Sequence, residues 1–251
     1  MSAQLAQKNM DLTGKTILTF DVVGTLIDFE TGVATYVKNI LTESGNEILP
    51  DDDILAAFGR TEARQQEMSP ELPFTQMLAP IYALMAQELS LPDETERADG
   101  LRLSIPHWPA FPDSIHALER LGKRFRLVAI TNADNWALDH MAKTLGNPFD
   151  DTVTAEDVGC NKPDERFFAT CLERQNAHGY EQKNFIHIAQ SQYHDIGAAM
   201  ALGYTTCWIE RRQGDRGFGA TPVPETVTVP DYHFATLGAF ADAVEDADRN
   251  T

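Results

Sequence analysis

Four short apolar runs, at residues 16–20, 126–130, 185–189 and 205–209, constrain this chain more than any other feature, because each ends in small or polar residues. Each has the length and composition of a strand buried on both faces. Helical periodicity fills the intervals at 113–121, 133–145, 164–174 and 194–202. Strands alternating with helices predict right-handed crossovers and an α/β fold, a doubly wound parallel sheet covered on both faces. Ligands of such sheets bind beyond the carboxyl ends of the strands. The residues that follow the runs therefore matter most: Asp21, Thr131 and the stretch 190–195.

The long interval between the first and second runs contains no clear strand. Segments 32–44, 51–67, 74–89 and 93–103 read as helices. Asp51, Asp52 and Asp53 place acid at a helix start, where it complements the dipole. Pro70 and Pro73 break the chain after that helix. Residues 105–112, with three prolines, read as a return linker. The expected organisation is an α/β core of 1–29 and 112–251, with a helical cap of 30–111 inserted after the first strand. Residues 214–230 read as a Gly- and Pro-rich surface loop, followed by a short strand at 232–235 and a helix at 237–243.

Charge narrows the partners. There are 38 acidic against 20 basic residues, a net charge of −18. Nucleic acid demands basic patches, and anionic membrane surfaces repel such a chain, so neither is expected. A small anionic substrate remains compatible, because one local cation sets the potential inside a pocket. A homodimer is left open. Cys160, Cys171 and Cys207 are odd in number and lack Cys-x-x-Cys spacing. They read as reduced thiols of a cytoplasmic protein rather than a zinc site or a disulfide framework. Residues 1–15 lack the apolar stretch of a leader, and no apolar run is long enough to span a membrane.

The first run leads into Asp21-Val22-Val23-Gly24-Thr25. A carboxylate at a strand end, followed by a turn whose backbone N–H groups can hold an anion, is well placed as a nucleophile. On that stretch alone, Asp21 as a cap of the following segment is the simpler reading. Three further stretches shift the balance. They are Thr131-Asn132 after the second run, Asn161-Lys162-Pro163-Asp164 before a helix, and Gln190-Ser191-Gln192-Tyr193-His194-Asp195 after the third run. Hydroxyl, cation and acid thus follow one another at successive strand ends.

This set of motifs resembles the haloacid dehalogenase superfamily, over most of the chain from Thr16 to Phe240. The resemblance implies a modified Rossmann core with a helical cap. It implies a nucleophile at Asp21, a hydroxyl at Thr131, a lysine at Lys162 and an acid at Asp195. Phosphatases of the superfamily usually carry a second Asp two residues after the nucleophile, to protonate the leaving alkoxide; here that residue is Val23. They also hold Mg²⁺ with an acid pair, of which Gln190 replaces the first member. Halide leaves without a proton, and Mg²⁺ wants hard anionic oxygens. Both departures resemble the L-2-haloacid dehalogenase branch and disfavour a metal; no cofactor is expected. That branch usually has Ser-Asn near 190–192 and a Tyr where this chain has Phe168.

Under this resemblance Asp21, Thr25, Lys162 and Asp195 are the catalytic set. Val22, Val23, Thr131, Asn132, Ser191, Tyr193 and His194 surround the substrate. The branch also carries a cap arginine that meets the substrate. Arg60 and Arg64 share one face of a predicted helix at i,i+4 and are the candidates, with surface pairing to Glu62 and Glu67 as the alternative. His107 and Trp108 read as packing at the cap hinge, and Arg211-Arg212 as a solvated loop. The glycines of 214–219 lack the strand–turn–helix setting of a phosphate loop, so no nucleotide is expected. The other readings are a phosphohydrolase with an altered metal site and a small-anion binding protein without turnover.

Overall fold

The structure is a computed structural model that describes residues 10–92, 94–214 and 217–249. Residues 1–9 of the stretch read as lacking a leader, Asp93 at the expected start of a helix, and Asp215 and Arg216 of the Gly-rich loop lie outside the described residues.

The chain begins with β1 (Ile17–Phe20) and then enters the helical segment: α1 (Phe29–Glu43), α2 (Asp51–Met68), α3 (Leu78–Leu89) and α4 (Thr95–Leu103). It continues with α5 (Ser114–Leu121), β2 (Arg126–Thr131), α6 (Asn135–Thr144), β3 (Asp151–Thr154), α7 (Ala155–Val158) and α8 (Glu165–Asn176). It closes with β4 (Phe185–Ala189), α9 (Gly197–Ala201), β5 (Thr205–Ile209), β6 (Tyr232–Phe234) and α10 (Leu237–Arg249). The strands form one sheet in the order β3-β2-β1-β4-β5-β6, and every neighbouring pair is parallel. β1 lies inside the sheet between β2 and β4, so the chain leaves it for opposite sides, and a crevice opens at its carboxyl end.

Both sheet faces are covered. Leu18 and Phe20 join Leu127, Ala129, Ile186 and Ile188 in one apolar cluster, which continues through α1, α2 and α3. Ile17 points the other way, with Val128, Ile130, Phe167, Phe168 and Phe185. This period of two is the alternation of a strand, and it leaves Thr19 and then Asp21 on the second face.

The helical segment is tied to the sheet where the chain leaves and returns. Asp28 donates its N–H to the Pro109 carbonyl at 2.8 Å, and Phe111 donates to the Leu26 carbonyl at 3.0 Å. The Asp28 carboxylate accepts the Thr31 N–H at 3.0 Å and caps α1. Trp108 fills the joint, its indole N–H donating to Ser104 Oγ at 3.0 Å.

Several expectations are revised. β3 was not expected, because Asp-Thr-Val-Thr is short and polar, with only its last two residues buried. The expected helix at 194–202 is a π-type turn, Gln192–Ile196, running into the short α9. The expected helix at 74–89 opens with a separate 3₁₀ turn, Phe74–Gln76. α10 runs past 243 to Arg249, held to α5 by Arg120, which reaches both Asp242 and Glu245 at 2.7 Å. Arg211 is not on a solvated loop. Its side chain is 5% exposed and pairs with Asp113 at 2.7 Å.

Gly32 of α1 lies against Trp108, and a methyl group there would approach Trp108 Cδ1 to 2.3 Å. Gly32→Ala gains about 1 kcal/mol of helix propensity, whereas overpacking a buried site costs about 1–3 kcal/mol. A contact this short against a ring with no free side puts the cost at the upper end. Urea unfolding is expected to show Gly32→Ala less stable by about 1–2 kcal/mol. Equal or higher stability would show that Trp108 is free to move.

Candidate active site

Asp21 continues the β1 ladder by one residue, its N–H donating to the Ile188 carbonyl at 3.0 Å. The chain then turns tightly. The Val22 carbonyl accepts from Leu26 at 2.9 Å and from Ile27 at 3.0 Å. Gly24 sits at φ +83°, a conformation that favours glycine. The turn directs Val22 into the core, where it is buried, and Val23 into a cavity. It also brings the Thr25 hydroxyl back to Asp21 Oδ2, to which it donates at 2.7 Å. Thr25 Oγ1 accepts the Gln190 N–H at 2.8 Å, which ties the turn to the end of β4. Arg211, absent from the expected site, donates its Nε–H to the Thr25 carbonyl at 2.9 Å and braces the turn from outside.

Lys162 reaches in from the loop before α8. Its ammonium donates to Asp21 Oδ1 at 2.9 Å, Asp195 Oδ1 at 2.6 Å and the Ile130 carbonyl at 2.9 Å. All three donors are thereby used. Asn132 aligns that loop: its Oδ1 accepts the Lys162 N–H at 2.7 Å and its Nδ2 donates to the Lys162 carbonyl at 3.1 Å. The Asn132 amide thus serves the lysine backbone.

A further polar pair lies beneath the acid and was not singled out from the sequence. His187 is fully buried on β4, with Nε2 at 3.1 Å from Asp195 Oδ1 and Nδ1 at 3.0 Å from Thr19 Oγ1. Thr19 and His187 are register partners on adjacent strands. A lone histidine within an apolar run carries no sequence signal of this role, since the partner lies on another strand. Asp195 Oδ2 is buried and has no hydrogen-bond partner.

Charge in this group is uneven. Burial raises the Asp195 carboxyl, but the Lys162 ammonium and the His187 hydrogen bond more than offset it, down to about 2. Burial also raises Asp21, and Lys162 does not fully offset it because Asp195 shares the same cation. Burial lowers Lys162, yet its two carboxylate partners carry it above the ordinary lysine value. Asp21 is therefore the less stabilised anion of the two, which favours it as a nucleophile. His194 is pushed down to about 4 by burial and is neutral at pH 7. Its Nδ1 lies 3.2 Å from Ser191 Oγ, which also accepts the His194 N–H at 2.9 Å.

These groups face a cavity of about 40 Å³, lined in the sheet domain by Asp21, Val23, Thr131, Asn132, Lys162, Gln190, Ser191, His194 and Asp195. One ordered water takes at least roughly 10–15 Å³ of such space, so the cavity suits a small organic molecule. The helical segment closes it with Phe29, Glu62, Gln66 and Phe74. Its position is held by hydrogen bonds. Phe74 donates its N–H to the Asn132 carbonyl at 2.8 Å, and Asn161 Nδ2 donates to the carbonyls of Pro70 and Leu72 at 2.9 and 2.7 Å.

Four expected residues lie elsewhere: Val22 is buried in the core, because the turn after Asp21 sends it there and Val23 to the cavity. Arg60 is exposed and pairs with Glu88, and Arg64 is exposed on the same outer face of α2. Neither lines the cavity. The helix presents Glu62 and Gln66 inward instead; i,i+4 spacing fits both pairs, and spacing alone does not tell which faces the core. Tyr193 is 41% exposed and lies outside the cavity. Among the described residues, no group of three or more His, Cys, Asp or Glu could hold a metal ion, and no helix is long and apolar enough to cross a membrane.

A family model described as haloacid dehalogenase-like hydrolase matches residues 15–203. (S)-2-haloacid dehalogenase 4A of Burkholderia cepacia is 26% identical over 231 residues, 87% of each chain. An (S)-2-haloacid dehalogenase of Pseudomonas putida is 27% identical over 129 residues. That match covers 50% of this chain and about half, 54%, of the relative's length. A phosphatase of Escherichia coli K12, YigB, acting on 5-amino-6-(5-phospho-D-ribitylamino)uracil, is 23% identical over 207 residues, covering 79% of this chain and 84% of its own. Among solved structures, the defluorinating L-2-haloacid dehalogenase Rha0230 superposes with a TM-score of 0.74 at 20% identity, over 96% of this chain and 100% of that one.

Replacing Lys162 by Met leaves two buried carboxylates without their cation. Such a loss costs about 3–5 kcal/mol of stability at neutral pH. In the native protein, Asp195 lies below its ordinary value, so its contribution is present above pH ~4 and fades as pH falls toward 2. In Lys162→Met, burial and the mutual repulsion of the two carboxylates act against only the Thr25 and His187 hydrogen bonds, both carboxyls rise, and folding is penalised as pH increases. The stability gap is therefore expected to be widest at pH 7 and smaller at pH 4, as read by urea unfolding. An equal gap at both would show that Lys162 acts by packing rather than charge.

Proposed function

This chain belongs to the haloacid dehalogenase-like hydrolases, and we propose that within them it hydrolyses the carbon–halogen bond of a short 2-haloacid through an ester on Asp21. The observation that carries this reading is the apolar flank of the nucleophile. Val23, two residues after Asp21, turns into the cavity where a phosphatase would place its proton donor. An alkoxide leaving group needs that proton; a halide does not.

The two halves of the reaction use different groups. Asp21, held by Thr25 and Lys162, attacks C2 from the face opposite the halogen; the C–X bond breaks and its electron pair leaves as halide. The ester forms on Asp21. A water then loses a proton to Asp195, whose unpartnered Oδ2 is the free acceptor, and its hydroxide adds to the Asp21 carboxyl carbon. The tetrahedral oxyanion forms beside the Lys162 ammonium. Collapse expels the 2-hydroxy acid, which takes back the proton from Asp195. Asp21 then returns its own proton to solvent. Thr131 and Ser191 line the cavity as hydroxyl donors for the substrate carboxylate, and the Asn132 side chain keeps Lys162 in place.

Magnesium does not fit these residues. Of the three carboxyl groups lining the cavity, Asp21 and Asp195 already share an ammonium and Glu62 is raised to about 8 by burial; the neighbouring position is an amide, with Gln190 Oε1 accepting from the Thr221 hydroxyl at 3.2 Å. A divalent cation there would meet one positive charge and too few anionic oxygens. No step is routed through a metal. The phosphohydrolase reading is kept as a second one because of the similarity to the Escherichia coli phosphatase over most of both chains.

The reading is tested with (S)-2-chloropropionate and chloroacetate in the presence of EDTA. Halide release is expected to persist, and Asp21→Asn to reduce it by at least about 10⁴-fold with the fold intact. A single turnover in ¹⁸O-water is expected to label the Asp21 carboxylate. Phosphate release from a phosphomonoester with Mg²⁺, and no halide release, would replace this reading with the second.

A further inference from the structure

We propose that Glu62, in its protonated form, is the helical segment's hydrogen-bond donor to the anionic end of the ligand, in the place where an arginine was expected. The proposal rests on the reading above that the ligand is a small anion, and it deepens that reading by naming what recognises the charge. Glu62 lies on the inner face of α2, lines the cavity with Asp21 and Lys162, and is 4% exposed. Its one hydrogen-bond contact among the described residues is Gln66 Nε2 at 3.4 Å, long for a hydrogen bond. No lysine or arginine among the described residues pairs with it, and burial alone pushes its carboxyl up to about 8.

Burial is what favours the neutral acid, and the charges that face Glu62 sum to a net negative that does not oppose it. Across the cavity stand Asp21, Asp195 and Lys162, one negative charge in excess, and His194, which is neutral. On α2 itself, Arg60 and Arg64 point outward, and Arg60 is paired with Glu88 of α3. On the α1 side, Lys38 is paired with Asp51 and Glu30 with Arg212, around a neighbouring cavity that Glu62 does not line. The 3₁₀ turn carrying Phe74 has no titratable side chain. A third carboxylate would add like charge in a desolvated space. An incoming anion strengthens the effect, because it holds the proton on Glu62 and accepts a short, charge-assisted O–H···O⁻ bond from it. A neutral donor of this kind selects a small anion without adding net charge to the cavity. The anionic end is either the ligand carboxylate or the departing halide.

Binding separates this proposal from the chemistry. Calorimetry is run with (R)-lactate and, in a second arm, with chloride, on the full chain and on Glu62→Gln and Glu62→Ala, near pH 6.5 and pH 9. Lysine 162 stays charged over this range, because its pKa is raised. With a group titrating at about 8, wild-type affinity is expected to fall by about tenfold at the higher pH. Glu62→Gln keeps a donor that cannot ionise and is expected to hold its affinity within about twofold at both values. Glu62→Ala is expected to bind weakly at both. The arm that shows this pattern identifies the anionic end. If the wild type releases no halide but the binding pattern holds, the dehalogenase reading fails and Glu62 keeps its role. If halide release is intact and Glu62→Gln binds as poorly as Glu62→Ala, or wild-type affinity does not fall at pH 9, the proposal is overturned. Failure of the wild type to bind either probe overturns it as well.

Discussion

The ammonium of Lys162, shared between Asp21 and Asp195, is the interaction on which the rest of the site depends. Burying two carboxylates side by side is costly, and one cation with three hydrogen-bond acceptors offsets that cost only when the geometry is good. The geometry comes from the sheet. β1 and β4 are neighbours and deliver Asp21 and the loop bearing Asp195 to one edge, while β2 delivers the Ile130 carbonyl to the third N–H of the lysine. The lysine itself comes from outside the sheet and is steered by both ends of the Asn132 amide. Four separate parts of the chain therefore meet at one charged group.

Around the same ammonium, two chemically identical side chains are stabilised to different degrees. Asp195 also receives His187 and becomes the better stabilised anion. Asp21 keeps a hydroxyl and half a cation, and remains the less stabilised anion. The distinction lies in what each carboxylate touches, since both are buried to a similar degree.

Much of this was legible in the sequence, and the reason is the sheet. Apolar runs buried on both faces have few alternative readings, so β1, β2, β4 and β5 and the residues at their ends stand out. β3 was missed because an edge strand of Asp-Thr-Val-Thr has neither the apolar run nor the length. Asp21, Thr131 and the stretch bearing Asp195 stand at strand ends, where position follows from topology. The helical segment is different. On α2, Arg60 and Arg64 repeat at the same interval as Glu62 and Gln66, and charge suggests the arginines for an anion site. Folding turns the helix by its buried apolar residues, Ile54, Leu55, Ala57 and Phe58, and those carry Glu62 and Gln66 inward. Arg211 and His187 were invisible for another reason: their partners, Thr25 and Thr19, are remote in sequence and are defined only once the strands pair.

Asn132 connects two parts of the site that sequence keeps apart. Its side chain positions the lysine, and its carbonyl accepts the N–H of Phe74 from the helical segment. One residue therefore serves both walls of the cavity: its side chain fixes the loop that carries the lysine, and its carbonyl anchors the turn that brings Phe74 over the same space. The cation and the apolar cover are set from a single point on the chain.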